Sequence, residues 1–329
     1  MRAARIKVDT EAGEAVYHCM SRTVNGEMLF DDVAKEILRK QMRQVAEYCG
    51  VQIVTYALMS NHFHVLLRVP KKTAVSDHEL LRRYAVLYPK PTKYQVARVE
   101  ALSEKLNDAE DEEAQEWRER QLALMGDVSQ FMKLVKQRFS VWYNRSHNRY
   151  GTLWAERFKS VLVEGCSRVS AAMAAYIDLN AVRAGLVSDP KDYRFCGYAE
   201  AVAGNKASRE GLNFVLGTKT WRSGQGAYRQ MLFGRGSGPQ AKGRELSTEK
   251  FKQVVKAKGQ LPLTAVLRCR VRYFSDGAVL GSRAFVQQHL AHYQALSGRR
   301  KHTAPLPLPE IESLGEVTSL RGLRKAAFG

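Results

Sequence analysis

His62 and His64 stand one residue apart in the run Ser60-Asn61-His62-Phe63-His64. On a β-strand, side chains two apart share a face, so both imidazoles can reach a single ion. The same letters also describe two half-exposed histidines on a sheet, and the pair alone does not choose between them. Tyr176 and Asn180 form a second constellation. They are four apart in a helical run and therefore lie on one helix face. A tyrosine oxygen there can attack phosphorus while the asparagine offers an amide oxygen to a metal. A core tyrosine and a helix-ending asparagine ahead of Gly185 fit the pattern equally well.

The elements that must position these groups can be read along the chain. AVYHCMSRTV (15–24) reads as a strand entering a turn at Asn25-Gly26. Asp31 and Asp32 stand where helix caps belong, before VAKEILRKQMRQVAEY, and Gly50 closes that helix. VQIVTYALM and HFHVLLRV follow as two strands rich in β-branched and aromatic residues, joined at Ser60-Asn61. Strand, helix, strand, strand is the front half of a ferredoxin-like α+β unit.

Residues 71–126 change character: YPKPTKY breaks regular structure and KLNDAEDEEAQEWRERQ is a charged, solvated helix. The core resumes with the amphipathic VSQFMKLVKQRFSVWYNR, the strand-like FKSVLVE and the helix SAAMAAYIDLNAVRAGLV. The small run AAMAA before Tyr176 lets that helix lie close against a sheet. The expected fold is therefore α+β: a ferredoxin-like antiparallel sheet with packed helices, a helical insertion and a mainly helical C-terminal extension. The expected division is a core at 1–200 with its insertion at about 71–126, a connecting region at 201–244, an accessory segment at 245–296 and a flexible, basic, proline-rich tail at 297–329. Helices are expected at STEKFKQVVKAK and SRAFVQQHLAHY.

The 329 residues carry 52 Lys and Arg against 33 Asp and Glu, a formal charge of +19. Such an excess favours a polyanionic partner, because phosphates neutralised by the protein release their counterions. No apolar run reaches the twenty or so residues of a membrane span and no secretory signal opens the chain, so a cytoplasmic location is expected. Five cysteines without a C-x-x-C pair argue against a disulfide framework or a zinc ribbon.

Taken in order and spacing, YHCMSR, YALMSNHFHVLLRVP, RYGTLWAERFKSVLVEG and YIDLNAVRAGLV resemble the IS200-like single-tyrosine transposases and the repeat-associated tyrosine transposases related to them. The resemblance covers most of 1–70 and 127–200. It implies the HUH-type core of that family, with His62 and His64 binding a divalent metal, Mg²⁺ or Mn²⁺, and Asn180 completing the site. Tyr176 is then the nucleophile. It further implies an endonuclease and strand transferase acting on single-stranded DNA through a covalent 5′-phosphotyrosine, on hairpin-flanked repeats, as a monomer or homodimer. Two departures stand out: Ala181 follows Asn180 where the family often has proline, and Ser60 replaces a proline before the N-H-x-H run. Alanine permits a further helical turn after Asn180, which proline would discourage.

Substrate contacts are expected from Arg2, Arg5, Arg22, Arg149, Arg157 and Lys159, with Tyr150 and Trp154 interleaved as stacking faces for unpaired bases. Trp154 and Phe158 fit core packing equally well. The rival functions are a catalytically inactive, sequence-specific DNA-binding or regulatory protein on the same fold, a zinc hydrolase and an RNA-binding sheet. The hydrolase lacks further ligands in VLLRVP, and no RNP-like aromatic strand supports the RNA reading.

Overall fold

A computed structural model describes residues 6–108, 110–234, 263–268, 270–297, 305–308, 317–321 and 323. Strand β1 (Ala15–Arg22) leads through a turn in which Asn25 (φ 53°) and Gly26 (φ 74°) both take left-handed conformations. Helix α1 (Asp32–Cys49) then starts on Asp31, whose carboxylate accepts from the Ala34 amide, and stops at Gly50 with φ 65°. Strands β2 (Gln52–Leu58) and β3 (His62–Val69) form the expected hairpin. Helix α5 (Val128–Ser146) and strand β4 (Lys159–Val163) complete the unit.

In space the strands run β2-β3-β1-β4, every neighbouring pair antiparallel, which is the order of a ferredoxin-like sheet. Helices α1 and α5 pack together on one face. The insertion supplies α2 (Asp77–Leu87), α3 (Lys93–Lys105) and α4 (Glu112–Leu122), which close a small core of their own around Leu80, Leu102, Leu106 and Trp117.

The opposite face is covered by α6 (Arg168–Asp178), buried along its whole length from Val169 to Asp178, as a helix held between sheet and helices must be. It is followed after Leu179 by the single turn α7 (Asn180–Arg183), the further turn that alanine at 181 permits. Beyond it, α8 (Gly197–Val202), α9 (Lys206–Leu216) and α10 (Trp221–Phe233) pack around α6 and β2. Two of these helices carry a glycine where they come close to β2. A Cβ on Gly211 would sit 2.4 Å from the Val54 carbonyl oxygen, and one on Gly197 would sit 2.2 Å from Thr55 Oγ1.

The C-terminal part joins the same sheet. Strand β5 (Val279–Gly281) pairs parallel with β4, and β6 (Leu306–Pro307) and β7 (Thr318–Ser319) extend the order to seven strands. Around them lie α11 (Leu263–Leu267), α12 (Tyr273–Asp276) and α13 (Arg283–Ser297), the last being the helix expected at SRAFVQQHLAHY. The expected helix at STEKFKQVVKAK lies outside the described residues. The pairing of β5 with β4 was not legible in advance: a three-residue strand in a sheet reached from more than a hundred residues away carries no local periodicity to read.

Candidate active site

Strand register brings the first group of residues together. Arg22 on β1 lies opposite His62 on β3, and Met20 lies opposite His64, so the face carrying the two histidines also carries an arginine. His18, one step further along β1 on the same face, is buried at 1% exposure and stacks on His64 with ring centroids 5.0 Å apart. Helix α6 crosses over this face, so Tyr176 comes within 6.4 Å of the His64 ring, centroid to centroid. Arg22, His62, His64, Tyr176, Asn180 and Arg183 line one cavity of about 170 Å³, which Arg270 and Ser275 close from the C-terminal side. Four residues singled out in the sequence for chemistry, His62, His64, Tyr176 and Asn180, thus meet at one place.

Hydrogen bonds fix the tautomers of these rings and the orientation of the amides. The Phe274 carbonyl accepts from His18 Nδ1 at 2.6 Å, so the Nε2 of neutral His18 carries a lone pair. That lone pair accepts from His64 Nδ1 at 2.8 Å, leaving the lone pair of His64 on Nε2. Asn61 plays the matching part for its neighbour: its Oδ1 accepts from His62 Nδ1 at 2.6 Å, while its Nδ2 donates to the Gly26 carbonyl. Asn180 donates its Nδ2 to the Ile177 carbonyl at 3.0 Å, which leaves the amide oxygen as its remaining donor atom. Two imidazole lone pairs and one amide oxygen fit the donor chemistry of a divalent ion.

Electrostatics favour those unprotonated forms. Burial pushes His18 and His62 down to about 4, with Arg183 adding to the effect in both and Arg22 in His62. His64 is lowered too, first by burial and then by the neighbouring His18 and His62. Both ligand candidates are therefore neutral at pH 7. No cluster of three or more His, Cys, Asp or Glu side chains suited to a metal occurs among the described residues. The cavity lining has no carboxylate but three arginines, so an anionic group is its natural complement.

Tyr176 is 3% exposed and held from two sides. The Phe274 ring meets it edge-on at 4.8 Å, and the Arg183 guanidinium lies 3.9 Å from its ring centroid. Arg183 also donates to the Tyr176 carbonyl at 2.7 Å and to the Leu267 carbonyl at 2.8 Å. Two residues further along α6, Asp178 accepts from Thr55 Oγ1, the Tyr198 amide and the Tyr228 hydroxyl, tying the helix to β2, α8 and α10. Burial pushes this fully enclosed carboxyl up to about 7, and those three donors oppose the rise. His18, Asp178, Arg183 and Arg270 were not singled out for these roles in the sequence. His18 falls inside the YHCMSR run, and Asp178 and Arg183 inside YIDLNAVRAGLV, which was the available signal.

The expected substrate contacts separate. Arg22 lines the cavity. Arg149 pairs with Glu27 at 3.4 Å, Tyr150 is 88% exposed and Arg157 is exposed. Lys159 sits on the site face of β4 but is paired with Asp276 at 3.0 Å. Trp154 offers no face to a base: it is buried against Phe30, Phe63 and Phe139, and its Nε1 donates to Ser140 Oγ at 2.8 Å. Its place is the core, since an indole of that size between two packed layers contributes more by burial than by contact at the rim. Arg2 and Arg5 lie outside the described residues. Among the described residues no helix is long and apolar enough to cross a membrane.

Comparison with known proteins bears on the same stretch. Residues 12–83 match the family model described as transposase IS200 like, which takes in β1, α1, β2, β3 and both histidines of the cavity. A solved structure of a REP-associated tyrosine transposase bound to a REP hairpin is similar at 13% sequence identity, with a TM-score of 0.40 over 62% of this chain and 86% of that one. No curated protein matches the chain.

Proposed function

We propose that this protein is a metal-dependent enzyme that cuts and rejoins single-stranded DNA, with Tyr176 as the nucleophile. The observation that carries the reading is the convergence of His62, His64, Tyr176 and Asn180, drawn from β3 and from the α6–α7 break, on one arginine-rich cavity. The family match over 12–83 and the +19 charge support DNA as the substrate class.

His62, His64 and Asn180 would hold the divalent ion, Mg²⁺ or Mn²⁺, through the two Nε2 lone pairs and the amide oxygen. Once bound, the ion supplies charge neutralisation at the scissile phosphate. Arg22, Arg183 and Arg270 add cationic charge to the same wall, drawing the phosphodiester in and stabilising the charge that develops on its oxygens. The Tyr176 oxygen attacks phosphorus and its proton is released. The bond from phosphorus to the 3′-oxygen breaks, and that oxygen takes up a proton. The products are a 5′-phosphotyrosine and a free 3′-hydroxyl. The bond energy is conserved in the ester, so the reverse attack by a 3′-hydroxyl rejoins a strand without ATP. Following the sequence resemblance, the preferred substrate is a single strand flanking a hairpin.

A second reading, a DNA-binding protein without cleavage, is favoured by one observation: Tyr176 is 3% exposed beneath Phe274 and Arg183. Incubation with a single-stranded substrate and Mn²⁺ separates the two. The enzyme traps a covalent adduct on the peptide containing AAYIDLN, and Tyr176→Phe binds the strand but forms none. Cleavage by Tyr176→Phe at the wild-type rate would overturn the assignment.

A further inference from the structure

We infer that His18 is a positioning residue which, anchored on the C-terminal segment, turns the Nε2 lone pair of His64 into the cavity. The inference rests on the metal-site reading above and names the part of the molecule that sets it up. Three buried groups stand in line: the Phe274 carbonyl, the His18 ring and the His64 ring, linked at 2.6 Å and 2.8 Å. His18 and His64 are 1% and 4% exposed, so solvent does not compete for these bonds.

Only one arrangement of protons satisfies the line with neutral rings. A carbonyl cannot donate, so His18 must carry its proton on Nδ1. His18 Nε2 then accepts, His64 must be protonated on Nδ1, and His64 Nε2 is left bare. The reverse tautomer of His64 would set two lone pairs against each other at 2.8 Å unless His18 were cationic.

What fixes the Phe274 carbonyl lies far along the chain. Helix α12 is held against β4 by the parallel β4–β5 pair and by the Asp276–Lys159 ion pair at 3.0 Å. The same residue presses its ring on Tyr176, and the Leu267 carbonyl holds Arg183, which lies over that ring. One short stretch, 263–281, thus orients a ligand candidate through its backbone and packs the nucleophile through a side chain. A segment outside the matched motifs is built into the site.

The test uses the full-length chain with ¹⁵N-labelled histidine, free of metal and DNA, and assigns the His64 ring by its loss in His64→Ala. Long-range nitrogen–proton spectra should show His64 protonated on Nδ1 in the wild type. In His18→Phe, which keeps a ring of similar size but no acceptor, that preference should vanish. Co²⁺ affinity, followed by visible absorbance, should fall about 10- to 100-fold in His18→Phe. His18→Gln, whose amide oxygen reaches the same place, should restore most of it. His64 protonated on Nε2 in the wild type overturns the inference even if His18→Phe does not fold, and so does unchanged Co²⁺ affinity in a folded His18→Phe. Should His64 be protonated on Nδ1 and lose that preference in His18→Phe while the wild type binds no Co²⁺, the orienting bond stands and the metal reading falls.

Discussion

Residues 12–83 and residues 263–281 both touch the cavity, but they reach it in opposite ways. The first region builds its share locally: β1, α1, β2 and β3 follow one another, their turns are marked by Asn25-Gly26, Gly50 and Ser60-Asn61, and β3 pairs with strands nearby in sequence. The second arrives from more than a hundred residues beyond β4 and acts through two carbonyls, one ring and one cation, from Phe274, Leu267 and Arg270. The first supplies the two histidines proposed as ligands. The second supplies constraint. Spacing rules can announce atoms that carry chemistry, but a carbonyl that orients a histidine belongs to every residue type and leaves no mark in a sequence.

The largest expected effect attacks the second region. From the motifs alone, a truncation ending near residue 240 should still nick a short substrate. The contacts of Phe274 and Leu267 predict the opposite: a chain ending at 262 loses the anchor of His18, the packing on Tyr176 and the partner strand of β4, and should neither cleave nor unfold at the wild-type temperature. Nicking and thermal unfolding of the truncated chain measure this. Wild-type nicking by a stably folded truncation would show that the site works without the second region.

Next in size is a change confined to the first region. His64→Ala should lower cleavage about 1,000-fold, the scale seen when one stabiliser of developing charge is removed. Its affinity for DNA should stay within a few-fold, because Lys and Arg carry the phosphate contacts. Comparing single-turnover rates with filter-binding affinities separates the two quantities. Parallel losses in both would show that His64 supports the fold rather than the chemistry.

A third comparison sets two aromatics of one segment against each other. Trp154→Ala should cost about 3–5 kcal/mol of stability, because the ring is enclosed by Phe30, Phe63 and Phe139. Tyr150→Ala should leave stability unchanged, since its side chain is 88% exposed, and should weaken single-strand binding by about 1–3 kcal/mol if a base stacks on it. Urea midpoints and oligonucleotide affinities of both variants decide. Loss of stability at Tyr150 would contradict the exposure on which the assignment depends.

These cases show where the sequence was legible. The strand face of His62 and His64 follows from the two-residue repeat, and the shared face of Tyr176 and Asn180 from helical spacing, so both pairs could be named before any fold was known. Trp154 could not be assigned, because an indole beside arginines reads alike at a nucleic-acid surface and in a core. Only its neighbours separate the two. Asp178 was hidden for a related reason. An aspartate in a helix reads as solvated, and its burial becomes evident only when Thr55, Tyr198 and Tyr228 arrive from three other elements.

Asp178 gives the smallest expected effect, and its sign distinguishes the helix anchor from the histidine face. Burial holds the folded carboxyl at about 7 against an unfolded value of 3.8, so the folded state binds its proton more tightly. Its contribution is therefore complete below about pH 4 and is lost as pH rises through 7. His18 and His62 run the other way: burial lowers them from 6.5 to about 4, so their contribution is complete above 6.5 and is lost as pH falls through 4. In the metal-free wild type the histidines outnumber the carboxyl between pH 4 and 6.5, so stability rises with pH and the Asp178 slope only partly offsets that rise. Asp178→Asn removes only the carboxyl. Its amide oxygen can still accept from Thr55 and Tyr198, and its amide nitrogen can donate to a Tyr228 hydroxyl turned to receive it. The variant should thus gain stability with rising pH more steeply than the wild type across that window, the difference being about 1.4 kcal/mol per pH unit. Its deficit against the wild type should shrink steadily between pH 4.5 and 7.5. Urea midpoints at four pH values, with EDTA present, measure the gap, and a gap independent of pH would mean that Asp178 is ionised in the folded protein throughout.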